Sequence, residues 1–168
     1  WSSARKVIRH TLGTFPGDKP IIVPSGSCAA MVFHGALLAF EKEADLPEVQ
    51  ALANRTWELT DFIVNGLGIT TWPGHYDATL TFHRSCHLRG SRSAEAIATL
   101  MESINGLTVE PIDQVEQCCG FGGTFAVSFP NISAKMGELK IENLLATQPD
   151  VVCSADMGCM MHFGGMMD

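Results

Sequence analysis

Positive charge is scarce in this sequence: 11 Lys and Arg stand against 18 Asp and Glu in 168 residues, leaving a formal charge of -7. A protein that grips nucleic acid regardless of sequence needs surplus Lys and Arg to displace counterions from phosphates, so that class is not expected. No cluster of basic residues suggests docking on anionic lipid. Long apolar runs are missing as well. The longest, 28–40, contains His34 and Gly35 and falls short of the roughly 20 residues that a membrane-spanning helix requires, so no transmembrane segment is expected. The opening residues carry no basic segment followed by an apolar stretch and a small-residue cleavage site. The expected location is the cytoplasm, peripheral to a membrane only through partners. No Ser-His-Asp arrangement, nucleotide loop or paired-carboxylate motif stands out.

What is present is a core. At 46% hydrophobic, the chain can bury one without disulfide staples. Its six cysteines therefore call for another explanation, and in a cytoplasmic setting ligation or redox chemistry is the expected one.

The pattern predicts an α/β fold of parallel-type sheet layers with flanking helices. Ala4, Val7, Ile8 and Leu12 lie at helical spacing within 2–14, and 21–23 reads as a short buried strand. The run 28–40 reads as a buried helix. Asp45 and Glu48 suggest a capping box opening one long helix that carries Val49, Leu52, Leu59, Phe62 and Ile63 and ends at Gly66 and Gly68. Strands are expected at 78–82, 107–109 and 151–153. Helices are expected at 93–104, capped by Gly106, and at 133–146. Ligands in such folds gather where strand ends meet helix N-termini.

A repeat organises the chain. Aligning Cys28 with Cys159 matches Ile21-Ile22-Val23 to Val152-Cys153-Ser154, and Ser25-Gly26-Ser27-Cys28 to Asp156-Met157-Gly158-Cys159. Each copy reads strand, turn, cysteine, then a helix containing Met and His. The second copy is preceded by Cys86 and Cys118-Cys119, whereas nothing comparable precedes Cys28. The expectation is therefore pseudo-duplicated cysteine-rich modules: 1–45 the C-terminal part of a truncated first module, and 46–168 a second, nearly complete one. The close Gly164-Gly165-Met166-Met167-Asp168 suggests a fragment at that end too.

Cys86 and Cys118 are separated by 31 residues, Cys119 and Asp156 by 36, and Cys159 lies three beyond Asp156. Only a fold can assemble so long-range a set. Thiolates suit iron-sulfur clusters and zinc, and four of them can close a tetrahedral or cluster site. Adjacent cysteines diverge in extended backbone, which favours a multi-iron cluster over one small ion. Gly120, Gly122 and Gly123 would let backbone approach a bulky inorganic group and aim N–H groups at sulfur. Two buried thiols in a glycine-rich turn, or a vicinal disulfide, is the plainer alternative.

At Cys86, Cys118-Cys119-Gly120 and Cys159 the chain resembles the cysteine-rich CCG family, which includes a cluster-bearing component of heterodisulfide reductase and the iron-sulfur component of glycolate oxidase. Segments 23–31, 58–64, 85–89, 118–126 and 156–162 are similar to the branch serving lactate utilization, and span nearly the whole chain. The resemblance implies two modules per protein, a four-iron cluster, noncubane in heterodisulfide reductase, and Cys28 as an orphan ligand of the truncated first site. It implies an iron-sulfur electron-transfer subunit, not itself catalytic, working with other subunits of an L-lactate or glycolate oxidation complex. The family pattern ends in Cys-x-x-Cys where this chain has Asp156-Met157-Gly158-Cys159. A carboxylate replacing one thiolate leaves a cubane cluster, or zinc, open. The alternatives are a zinc-stabilised interaction module and a cluster enzyme acting on disulfides.

Cys153 is expected to be a small core residue. His83, His87 and His162 lie near Cys86 or Cys159 in sequence, where they could donate to a cluster sulfur or replace a missing ligand. His10, His34 and His75 form no constellation. Met157, Met160 and Met161 are expected to pack in the core.

Overall fold

A computed structural model describes residues 1–167; Asp168, which closes the second expected module and the end read as a fragment, lies outside the described residues. The chain is α/β, with parallel sheets flanked by helices. Helix α1 (Ser2–Thr14) precedes strand β1 (Ile21–Val23), and α2 (Gly26–Ala30) runs through a π-helical turn (Met31–Gly35) into α3 (Ala36–Phe40). After α4 (Leu46–Asn54), strand β2 (Thr56–Glu58) pairs in parallel with β1. Short α5 (Leu59–Asp61) and a second π turn (Phe62–Gly66) follow. The second sheet contains β3 (His75–His83), β4 (Asn105–Glu110) and β5 (Val151–Ser154) in the order β4-β3-β5, all parallel. Its helices are α6 (Arg92–Glu102), α7 (Thr124–Ser128), α8 (Pro130–Leu145) and α9 (Met157–Met167).

The single long helix expected after Asp45 is broken into helix, strand and helix. Thr56 Oγ1 donates to the Leu52 carbonyl at 2.8 Å, and Ile21 N–H donates to the Arg55 carbonyl at 2.9 Å, so β1 captures the chain as it leaves α4. The Glu58 carboxylate then accepts the N–H groups of Thr60 at 2.9 Å and Asp61 at 3.1 Å, starting a new helix. Asp45 sits at the α4 N-terminus but makes no side-chain cap; it binds Arg9 at 2.6 Å, because an opposite charge from α1 competes for it. Gly106 is likewise no helix cap: it lies inside β4 with φ +84°, and Ser103 closes α6.

Two apolar clusters hold these layers. Ile8, Ala36, Ala39, Phe40 and Val49 join α1, α3 and α4. That cluster and the β1–β2 pairing both bridge residue 45. Cys119, Leu144, Cys159 and Phe163 form the other cluster, with Val152 of β5 packed against it. Full burial of a side chain such as Phe40 or Phe163 contributes about 1.5–3 kcal/mol. Ser133, Gly137, Lys140 and Leu144 make the buried face of α8, at steps of four, three and four residues. At Gly137 that face meets α9, where a Cβ would come within 2.6 Å of Met166 Sδ. Of the methionines expected in the core, Met160 packs there, but Met157 and Met161 are exposed: the buried side of α9 is set by Cys159 and Phe163.

Candidate metal centre

Parallel strands end on the same side, and the ends of β3, β4 and β5 deliver the cysteines. Strand β3 leads through Arg84-Ser85 to Cys86; β4 leads through 111–117 to Cys118-Cys119; β5 leads to Asp156 and to Cys159 in the first turn of α9. The 111–117 segment has no regular structure of its own and is tied down by side chains. Buried Lys140 donates to the carbonyls of Gln114 at 3.1 Å and Val115 at 3.4 Å; Asn143 donates to Gln117 at 2.6 Å; Arg84 and Arg89 pair with Glu116 at 3.0 and 2.5 Å.

The four cysteines line one cavity of about 310 Å³, with Ser27, Ser85, His87, Phe121, Gly122, Gly123, Asp156 and Gly158 completing its wall. Cys118 and Cys119 converge on it although they are adjacent. Burial grades across the set: Cys119 and Cys159 are 3% and 7% exposed, Cys118 is half-buried and Cys86 is exposed. Cys119 Sγ and Cys159 Sγ share a hydrogen bond at 3.0 Å. That bond is the first cause that holds the Cys119 thiol well below its ordinary value; burial opposes it, while the nearby His83 imidazole and the Phe121 N–H reinforce it. The same bond, with burial, pushes the Cys159 thiol up. Burial first, then Cys118, raises Cys86 to about 11. Gly120 N–H donates to Cys118 Sγ at 3.4 Å, an N–H aimed at sulfur.

The three glycines divide their work. Gly122 and Gly123 line the cavity. Gly120, with φ +89°, lies against α8, where a Cβ would come within 2.5 Å of the Ser133 carbonyl. Asp156 is buried and already engaged: its carboxylate accepts N–H groups from Ser27 at 3.0 Å, Gly158 at 3.1 Å and Cys159 at 3.3 Å. Burial pushes its carboxyl up, but these bonds prevail and hold it below the ordinary value. One carboxylate thus caps α9 and ties it to the start of α2. Gly26 N–H, donating to the Ala155 carbonyl at 3.0 Å, seals the same junction.

Cys28 is exposed on α2 and Cys153 lies on β5; neither lines the cavity. His87 is on the cavity wall. His162 Nε2 lies 3.4 Å from the Ser133 carbonyl. His83, fully buried at the end of β3, brings one ring nitrogen within 4.8 Å of the Cys119 and Cys159 sulfurs.

The donor set suits an inorganic group with an affinity for sulfur. Four convergent thiols supply soft ligands, and the Ser85 hydroxyl, buried on the cavity wall, has no hydrogen-bond partner among the described residues. A bound sulfide or thiolate would accept from it.

The family described as CCG, cysteine-rich domain, matches residues 80–164, which contain all four cavity cysteines. Lactate utilization protein A of Shouchella clausii is 40% identical over 98% of this chain and 69% of its own length. Lactate utilization protein A 2 of Bacillus cereus strain Q1 and lactate utilization protein A 1 of Bacillus anthracis strain CDC 684 are each 38% identical over the same shares. This chain belongs to the lactate utilization protein A family of CCG cysteine-rich domain proteins. Family membership agrees with the resemblance carried by Cys118-Cys119-Gly120. It gives no role to Ser27 or Ser85, which sequence reasoning missed. Both sit within two residues of a cysteine, but only packing between α2 and the 85–88 turn brings them to one wall. No helix among the described residues is long and apolar enough to cross a membrane.

Proposed function

We propose that this chain is an iron-sulfur electron-transfer module serving lactate utilization, with Cys86, Cys118, Cys119 and Cys159 as the ligands of one cluster. The convergence of four thiols from three separate segments on a single cavity carries the reading. The cavity is at the small end of ligand sites, which run to about 300–1,000 Å³, and is too roomy for one bare ion. A four-iron cluster, when bound, would supply reversible one-electron transfer. The protein's own contribution is to hold the thiols together, cover Cys119 and Cys159 from solvent, and present Cys86 at the open side. Gly120 N–H and Ser85 Oγ would stabilise negative charge on sulfur. Asp156 is assigned to holding α9 and α2 in place, its oxygens being taken up by three N–H groups. The names of the relatives support a place in lactate utilization; lactate oxidation itself, and the substrate site, are assigned in this proposal to other subunits.

Anaerobic reconstitution with iron and sulfide, followed by metal analysis and EPR, tests the proposal. Bound iron with a cluster signal is the expected result; a folded chain that takes up no iron would overturn it.

One observation favours a second reading. His83, Cys119 and Cys159 offer donor atoms within 4.8 Å of one another, the compactness a single zinc ion needs. Stoichiometric zinc that survives anaerobic preparation, with no visible absorbance, would select this interaction-module reading.

A further inference from the structure

His83 is fully buried, yet neither of its ring nitrogens has a hydrogen-bond partner among the described residues. Leaving a buried donor or acceptor unmatched costs about 1–3 kcal/mol, so a residue placed this way needs a compensating role. Its orientation is fixed. The ring meets Phe163 edge to face, with centroids 5.0 Å apart and planes at 86°. The Cys119 and Cys159 sulfurs lie within 4.8 Å of one of its nitrogens, while His83 itself is absent from the cavity wall. The imidazole therefore lies close to the two sulfurs but outside the cavity wall. His87 and His162 differ: the first faces the cavity, and the second has the Ser133 carbonyl for a partner.

We propose that His83 is a positioning residue of this centre, turning a ring N–H toward the Cys119 and Cys159 thiolates when they hold a bound group and raising the reduction potential of that group. The inference rests on the cluster reading above. Reduction adds negative charge to the sulfurs, so a fixed donor stabilises the reduced form more than the oxidised form. Because His83 is absent from the cavity wall, it is assigned as a donor to the ligands and not as a ligand.

The test uses the anaerobically reconstituted chain and two His83 variants. H83L removes the donor, and H83Q keeps an N–H at similar reach. The expected result for H83L is unchanged iron content with the reduction equilibrium shifted about tenfold toward the oxidised form, about 59 mV for one electron. H83Q should recover at least half of that shift. Pulsed EPR of the unaltered protein carrying 15N-histidine needs no His83 variant to fold. It should show a weak nitrogen coupling, smaller than that of a metal-bound imidazole, that persists when His87 is replaced in H87Q. An unmoved potential in H83L at full iron content, or no nitrogen coupling that persists in H87Q, would overturn the proposal. A strong coupling, with iron lost in both variants, would also overturn it by making His83 a ligand. If the unaltered chain takes up no iron, the cluster reading falls and takes this inference with it; an unmoved potential in a loaded protein defeats this inference alone.

Discussion

The two strand-turn-helix copies place a cysteine at the same point and leave it in opposite circumstances. Cys159, after β5, is buried with Cys119 in the cavity; Cys28, after β1, is exposed and outside it. The local frame is shared, so the frame does not make the site. What differs is the neighbourhood. The second copy has β3 delivering Cys86 and a loop pinned by Lys140 delivering Cys118 and Cys119, while the first contributes Ser27 to the wall and an N–H to Asp156. The first copy is thus a buttress of the second copy's site.

Swapping each cysteine for serine tests this contrast most severely. C119S and C159S should each lose more than half of the bound iron after anaerobic reconstitution, by colorimetric iron assay, whereas C28S should match the unaltered chain. Equal losses from C28S and C159S would erase the distinction.

The next effect concerns how the loop reaches its place. G120A puts a Cβ against the α8 backbone at a positive φ, and should cost about 2–4 kcal/mol in urea unfolding. G123A, where a Cβ meets nothing within 4 Å, bears only the strain of its φ and should cost about 1 kcal/mol. Similar costs would mean that the approach to α8 is not what Gly120 serves.

D156N probes the junction between the copies and should cost about 1–2 kcal/mol, a cap that joins two helix starts. Its pH dependence has a definite sign. The folded carboxyl is held below its ordinary value near 3.8, so its stabilisation is fully present above that value and disappears as pH falls through the lower folded one. Acid unfolding followed by circular dichroism should show a shallower acid limb in D156N. An unchanged limb would remove Asp156 from the junction. The smallest effect belongs to S85A, which should keep its iron and lower the reduction potential by less than H83L does.

Much of this was legible beforehand where pattern is local. The alternation at 78–82 lies inside β3, the apolar spacing of 133–146 follows α8, and the helix after Cys28 runs on as expected apart from its π turn. Strand β2 escaped because three residues of strand cannot outvote a helical period on either side; its existence depends on β1, more than 30 residues away. At the site, the cysteines could be named from spacing. The burial of His83, the orphaned Ser85 hydroxyl and the bond from Ser27 to Asp156 arise from packing between segments up to 129 residues apart. No window of sequence carries that information.

The central claim is that four thiols hold one multi-iron group. Iron-edge X-ray absorption on the anaerobically reconstituted chain tests it most directly. The account predicts a sulfur-only first shell together with a metal–metal scattering path; a single-ion spectrum with nitrogen in the first shell and no metal–metal path would contradict it.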